Sequence, residues 1–201
     1  MEGASDESDL VRRAQRADLS AFNQLVVRYQ DLAYNVAYRL LGDAEPAADA
    51  TQDAFISAYA AISRFRGGSF RSWLLRIVTN ACYDLLRTRR RRPTTSLDAM
   101  LEADSATPAH FPDPGETPEG AALRHEVSRQ IQAALLSLPA DQRVAVVLSD
   151  VQGLSYDEIA QATSASLGTV KSRLSRGRAH LRALLSKHGE LLPPRLRHDN
   201  G

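Results

Sequence analysis

Between Leu167 and Leu185 the sequence places cations and small hydroxyl side chains on one side of a helix, a set suited to touching nucleic acid rather than to making or breaking bonds. At about 100° per residue, Leu167, Val170, Leu174, Gly177, Leu181 and Leu184 share one inward stripe. Thr169, Ser172, Arg176 and Ala183 then face away, with Gly168, Arg173 and Ser175 at the edges. Small side chains let a helix approach base edges, hydroxyls bond to either base type, and Arg offers two parallel donors to guanine. Lys171, Arg178 and Arg182 flank this face with no acid in the span, which suits phosphates. Taken alone, such a pattern also describes an ordinary solvated basic helix.

The preceding residues favour the first reading. Ser155 and Glu158 have the spacing of a capping box, with Leu154 and Ile159 placed as a hydrophobic staple, so a short helix starts there and runs to about Thr163. Ser164, Ala165 and Ser166 form a polar turn, and Ser166 caps a second helix. Two helices so joined are a helix-turn-helix, whose second helix presents its N-terminal half to the major groove.

A second candidate lies upstream. Phe65-Arg66-Gly67-Gly68-Ser69 breaks a helix because adjacent glycines oppose helical structure, and Ser69 can cap the next one. In that next helix Phe70, Trp73, Leu74, Ile77, Val78, Ala81 and Leu85 face inward, leaving Ser72, Arg76, Thr79, Tyr83 and Arg87 outward and Asn80 at the edge. Aromatics that stack on unpaired bases, with cations along the backbone, are the ingredients of single-strand binding, although an ordinary polar face has the same composition. Asp49, Gln52 and Asp53 form a third set, outward on an earlier helix. With no further polar group or pocket nearby they do not make an acid–base pair. They are solvated surface or a docking face for a basic partner.

The elements that must carry these residues are all helical. A long helix from Ser20 buries Phe22, Leu25, Val26, Tyr29, Leu32, Ala33, Val36 and Leu40 and ends at Gly42. Pro46 suits the first turn of the next, with Ala50, Ala54, Phe55, Ala58, Tyr59 and Ile62 inward. After the basic run Arg87–Arg92, residues 93–120 are rich in Pro, Ser, Thr, Asp and Glu and read as a flexible linker, so the two units should move independently in the free protein unless a partner clamps them. A helix resumes near Ala121, Pro139 opens another carrying Val144, Val147, Leu148 and Val151, and Gly153 ends it before the helix-turn-helix. The expected architecture is all-α: an N-terminal extension (1–18), a helical unit (19–92), the linker, a four-helix helix-turn-helix unit (121–185) and a tail (186–201).

Composition excludes more than it names. The chain has 201 residues and a net charge of only +1, so binding to nucleic acid must rest on local clusters. Cys82 is the single cysteine and the five histidines lack metal-site spacing, so neither disulfide, metal nor cofactor is expected. An acidic, polar N-terminus and the lack of a membrane-length apolar run make the expected location cytoplasmic, without membrane insertion.

Two blocks resemble the extracytoplasmic-function group of the sigma-70 family of bacterial initiation factors. Leu138-Pro139 with Arg143, Gly153-Leu154-Ser155-Tyr156, Glu158-Ile159-Ala160, and Gly168 to Leu174 with Arg176 are similar to its region four. Asp49 to Phe55, Arg64-Phe65-Arg66-Gly67, Phe70-Arg71, Trp73-Leu74, Arg76-Ile77 and Asn80 are similar to region two, with Ala50 and Ala54 where larger aliphatics are usual. The resemblance implies a non-enzymatic factor, without catalytic residues, that binds core RNA polymerase, directs it to promoters and promotes melting. It implies that Asp49, Gln52 and Asp53 meet the β′ clamp helices, with the β subunit also in contact and the linker threading toward the active-site cleft. It further implies that Phe65, Arg66, Arg76, Asn80, Tyr83 and Arg87 serve the melted minus-10 element. Thr169, Lys171, Ser172, Arg173, Ser175 and Arg176 would serve the minus-35 duplex, and an anti-sigma factor is a further family expectation. A free-standing repressor would need a dimer seam or effector pocket, and a small enzyme a phosphate loop, nucleophile elbow or metal cluster; no such signature is present.

Overall fold

The computed structural model describes residues 2–91 and 118–187, and every regular element within them is helical. Most of the expected linker and the tail beyond Lys187 lie outside the described residues. The expected polar extension is instead a helix, α1 (Glu2–Gln15), because Leu10, Val11 and Ala14 give it one buried edge. Asp18 caps α2 (Leu19–Leu41) by accepting from the Ala21 N–H at 3.1 Å, and Gly42, at φ 78°, ends it by donating to Tyr38 O. Asp43 caps α3 (Ala44–Ala61), whose Ala47, Ala50, Ala54 and Ala58 are fully buried. The small residues at Ala50 and Ala54 therefore line a close-packed core. Tyr59 departs from expectation: it is 42% exposed, with its ring edge-on to Phe22 at 4.9 Å.

A single 3₁₀ turn (Ile62–Arg64) leads to the glycine loop, where Gly67 and Gly68 have φ of 93° and 90°. Ser69 Oγ then accepts from the Ser72 N–H at 3.2 Å to start α4 (Phe70–Arg91). The buried arc of α4 is wider than its sequence stripe, since Leu75, Thr79 and Cys82 are buried as well. Thr79, outward by helical spacing, is covered because the second unit packs on that side of α4.

The second unit begins with α5 (Pro118–Ser137), Pro occupying a first-turn position that tolerates its missing N–H. Pro139 precedes α6 (Ala140–Val146), which widens into a π-helical stretch (Val147–Val151) where the Gln152 N–H reaches Val147 O at 3.0 Å. That extra residue in the turn rotates Val151 outward to 51% exposure, although its α-helical spacing assigns it to the core. α7 (Tyr156–Thr163) and α8 (Leu167–Lys187) follow. α8 approaches α6 so closely that a Cβ at Gly177 would stand 2.8 Å from Val146 Cγ2.

The two units are packed together, an arrangement that the linker reading alone does not anticipate. The C-terminal turn of α2 presents carbonyls, among them Tyr38 O that the Gly42 N–H already caps, and the second unit supplies further donors. Arg143 Nη1 donates to Leu40 O at 2.5 Å and Gln132 Nε2 to Tyr38 O at 3.1 Å. On the other side of the seam Arg71 donates to Gln152 O at 2.7 Å, Ser72 to the Glu158 carboxylate at 2.5 Å, and Tyr83 to Asp141 at 3.3 Å. Leu135, Leu138 and Leu148 continue the apolar core of the first unit without a break.

Candidate nucleic-acid interface

The helix-turn-helix forms as its local chemistry dictates. The Glu158 N–H donates to Ser155 Oγ at 3.3 Å while the Ser155 N–H donates to Glu158 Oε2 at 2.9 Å, completing the capping box. Ser164 turns the chain at φ 50°, and Ser166 Oγ accepts from the Thr169 N–H at 3.2 Å to start α8. Val170, Leu174 and Gly177 are buried, whereas Leu167, expected inward, is 42% exposed at the first position of α8.

Of the residues expected on the duplex-facing side, Lys171, Ser175 and Arg176 are exposed and Thr169, Ser172 and Arg173 are half-buried. Arg173 is ion-paired with Asp141 at 2.6 Å. Arg178 donates to both carboxylate oxygens of Asp150, at 3.0 and 2.5 Å, and this pairing holds the Asp150 carboxyl below its usual range. A cation that the sequence places beside phosphates is thereby given to its own domain.

On the first unit Arg66 is exposed in the glycine loop, and Arg76, Asn80 and Arg87 lie along one exposed strip of α4. Phe65 is half-buried, its ring 5.3 Å from Trp73 and edge-on to Phe70 at 6.0 Å. Tyr83 is drawn away from the strip. Burial first, and the Asp141 carboxylate second, push its hydroxyl pKa up, so it remains a donor. Asp141 thus holds one candidate from each face, Tyr83 and Arg173. Asp49, Gln52 and Asp53 are exposed on α3, and Ile56, 61% exposed, continues their side of the helix. No ion pair is formed by either acid among the described residues.

Sequence reasoning did not select Asp141, Arg71 or Gln152, because their partners lie 32 to 81 residues away and no spacing announces them. Glu158 was legible as a cap only. Ser72 also donates to it, and that bond, ahead of those from Ser155, holds its carboxyl low. Among the described residues there is no cluster able to hold a metal, and no helix is long and apolar enough to cross a membrane.

The pattern of Sigma-70 region 2 matches residues 25–92 and that of Sigma-70 region 4 matches residues 128–181. The RNA polymerase sigma-H factor of Pseudomonas aeruginosa is 39% identical over 173 residues, covering 86% of this chain and 90% of that protein. The chain belongs to the extracytoplasmic-function sigma factors of the sigma-70 family. The sigma-E factor of Escherichia coli K12 is 38% identical over 84% of this chain and 88% of its own length. The sigma factor SigE of Mycolicibacterium smegmatis is 39% identical over 86% of this chain, but the match spans only 65% of its length. Among solved structures, CnrH in complex with the cytosolic domain of CnrY is similar over 90% of this chain and 98% of that one, with a TM-score of 0.63 and 29% identity. RpoE in complex with the anti-sigma factor NepR from Bartonella quintana gives 0.59 at 27% identity, over 82% and 96% of the two chains. In this sigma factor region 2 therefore comprises most of α2 with α3 and α4, and region 4 the helices from within α5 to α8; α1 lies outside both matches.

Proposed function

We propose that this sigma factor binds core RNA polymerase, directs it to promoters and promotes their melting, without catalysis of its own. The observation that carries the reading is the capped helix-turn-helix whose second helix keeps Lys171, Ser175 and Arg176 in solvent. Thr169, Lys171, Ser172, Arg173, Ser175 and Arg176 are assigned to the minus-35 duplex, Arg176 by paired bonds to a guanine and Lys171 through phosphate. Phe65, Arg66, Arg76, Asn80, Tyr83 and Arg87 are assigned to the unpaired minus-10 strand, with Phe65–Ser69 as the loop that captures a flipped base.

Asp49, Gln52 and Asp53 are the proposed contact with the β′ clamp helices, and region 4 with the β subunit. Unpaired acids beside exposed Ile56 suit a basic, partly apolar partner. Two similar solved structures hold partner proteins, which supports an anti-sigma factor as a further ligand. The test is reconstitution. Purified protein should co-elute with core polymerase and confer promoter-specific initiation, and Asp49→Arg with Asp53→Arg should abolish co-elution without loss of helical circular dichroism. Co-elution unaffected by that double reversal removes the α3 assignment, and no initiation by the native protein removes the function.

A further inference from the structure

Helix α1 is tied to the base-capturing loop by one side chain. Gln15, its last residue, donates from Nε2 to Phe65 O at 2.7 Å and to Ile62 O at 3.3 Å. These are the carbonyls of the 3₁₀ turn and of the residue after it. The Phe65 N–H closes that turn on Ile62 O at 3.0 Å, and Phe65 itself, at φ −67° and ψ 117°, is where the chain leaves helical geometry. Phe65 O lies past the end of the turn, Ile62 O can accept a second bond beside the one from Phe65, and the two hydrogens of one amide nitrogen match these two acceptors.

Gln15 is itself held in place. Leu10, Val11 and Ala14 are buried, Arg28 pairs with Asp6 at 2.7 Å, Tyr29 is bonded to Glu7, and Arg13 pairs with Asp18 at 2.8 Å. The loop beyond has little else to define it. Residues Arg66 to Ser69 are exposed, and nothing stands within 4 Å of a Cβ built on Gly67 or Gly68. Its exit is fixed by Ser69 Oγ accepting from the Ser72 N–H at 3.2 Å, and its entry by Gln15.

We propose that Gln15 is a positioning residue for promoter melting: by holding the carbonyls of Ile62 and Phe65 it sets where the Phe65–Ser69 loop stands to receive an unpaired base. This rests on the reading of that loop as the base-capturing element. A brace needed only for folding would act on every property of the protein alike, whereas a positioning residue acts on the loop's own step.

The experiment uses holoenzyme reconstituted with native protein, Gln15→Glu, Gln15→Lys and Phe65→Ala. The probes are a promoter that the native holoenzyme selects from a randomised duplex pool, and the single non-template strand spanning its minus-10 segment. Gln15→Glu keeps the shape but replaces the donors with a carboxylate facing the two carbonyls; Gln15→Lys restores an N–H donor group there. Gln15→Glu should weaken single-strand binding by about fivefold to tenfold, the equivalent of one hydrogen bond, with co-elution and minus-35 duplex affinity unchanged. Trp73 is the sole tryptophan and its ring lies 5.3 Å from Phe65, so acrylamide quenching should rise in Gln15→Glu and return toward native in Gln15→Lys. Native-like single-strand binding by Gln15→Glu, where Phe65→Ala is impaired, overturns the proposal alone. Equal losses of core, duplex and single-strand binding also overturn it, as a folding role. If Phe65→Ala itself binds the single strand normally, the loop assignment fails and the proposal with it.

Discussion

Arg143→Ala should loosen the seam between the two regions and cost about 2–3 kcal/mol. Arg143 is 9% exposed, its Nη1 donates to Leu40 O at 2.5 Å and its Nη2 to Leu138 O at 3.3 Å. A hydrogen bond from a charged donor contributes about 1.5–3 kcal/mol, and a carbonyl left buried without a donor costs about 1–3 kcal/mol. These overlap, because the Leu40 carbonyl loses its partner only once. Against them stands the desolvation of the guanidinium, whose pKa burial lowers and whose Nε has no partner among the described residues. At about 2–4 °C per kcal/mol for a chain of this size, the thermal midpoint should fall by about 4–12 °C. The assay is paired melting. Trp73 fluorescence reports region 2, whereas far-ultraviolet circular dichroism reports all helices. In the native protein the two curves should coincide, and in Arg143→Ala they should separate, since region 4 can then unfold without region 2. Arg143→Met, which keeps much of the stem's packing, should fall between. A change below about 0.5 kcal/mol with curves still coincident would refute the claim that this residue joins the regions.

Two further perturbations probe the same framework. Gly177→Ala should destabilise by about 1–3 kcal/mol in urea unfolding, because its Cβ would stand 2.8 Å from the branched Val146 side chain between α6 and α8; a neutral result would show that the helices separate freely. The Glu158 carboxyl is held below its reference value of 4.5, chiefly by the Ser72 hydroxyl and then by Ser155. Since the unfolded state takes up that proton first on acidification, the contribution is complete above about pH 5 and is lost as pH falls through the lowered value. The stability difference between native protein and Glu158→Gln should therefore be constant near neutrality and shrink below pH 4.5, as read by chemical unfolding across pH; a difference that grows on acidification contradicts this assignment.

What could be read beforehand divides by distance along the chain. The Ser155–Glu158 box, the Ser166 cap, the glycine stop at Gly42 and the buried stripe of Val170, Leu174 and Gly177 all depend on residues within four positions, and local patterning states them directly. Failures occurred where a second packing partner or a change of helical pitch intervened. Thr79 is buried because α4 is covered on two sides, and Val151 is exposed because the π turn rotates it. α1 was missed because three small or medium apolar residues in an acidic stretch make too short a stripe. The seam was invisible for a different reason: Arg143 and Gln132 answer carbonyls of α2, and backbone acceptors carry no side-chain signature.

Asp141 of region 4 accepts from Tyr83 of region 2 across the seam while it pairs with Arg173 of its own region, so the Tyr83 hydroxyl is engaged as long as the seam stays closed. The apparent affinity of any protein whose competent form is a fraction of the whole is reduced by that fraction. If closure is favoured by about 2 kcal/mol, only about one molecule in thirty is open, and any DNA contact that needs the free Tyr83 hydroxyl is weakened in the isolated protein by the same factor. A partner that merely holds the two regions apart then restores that contact about thirtyfold without touching DNA itself.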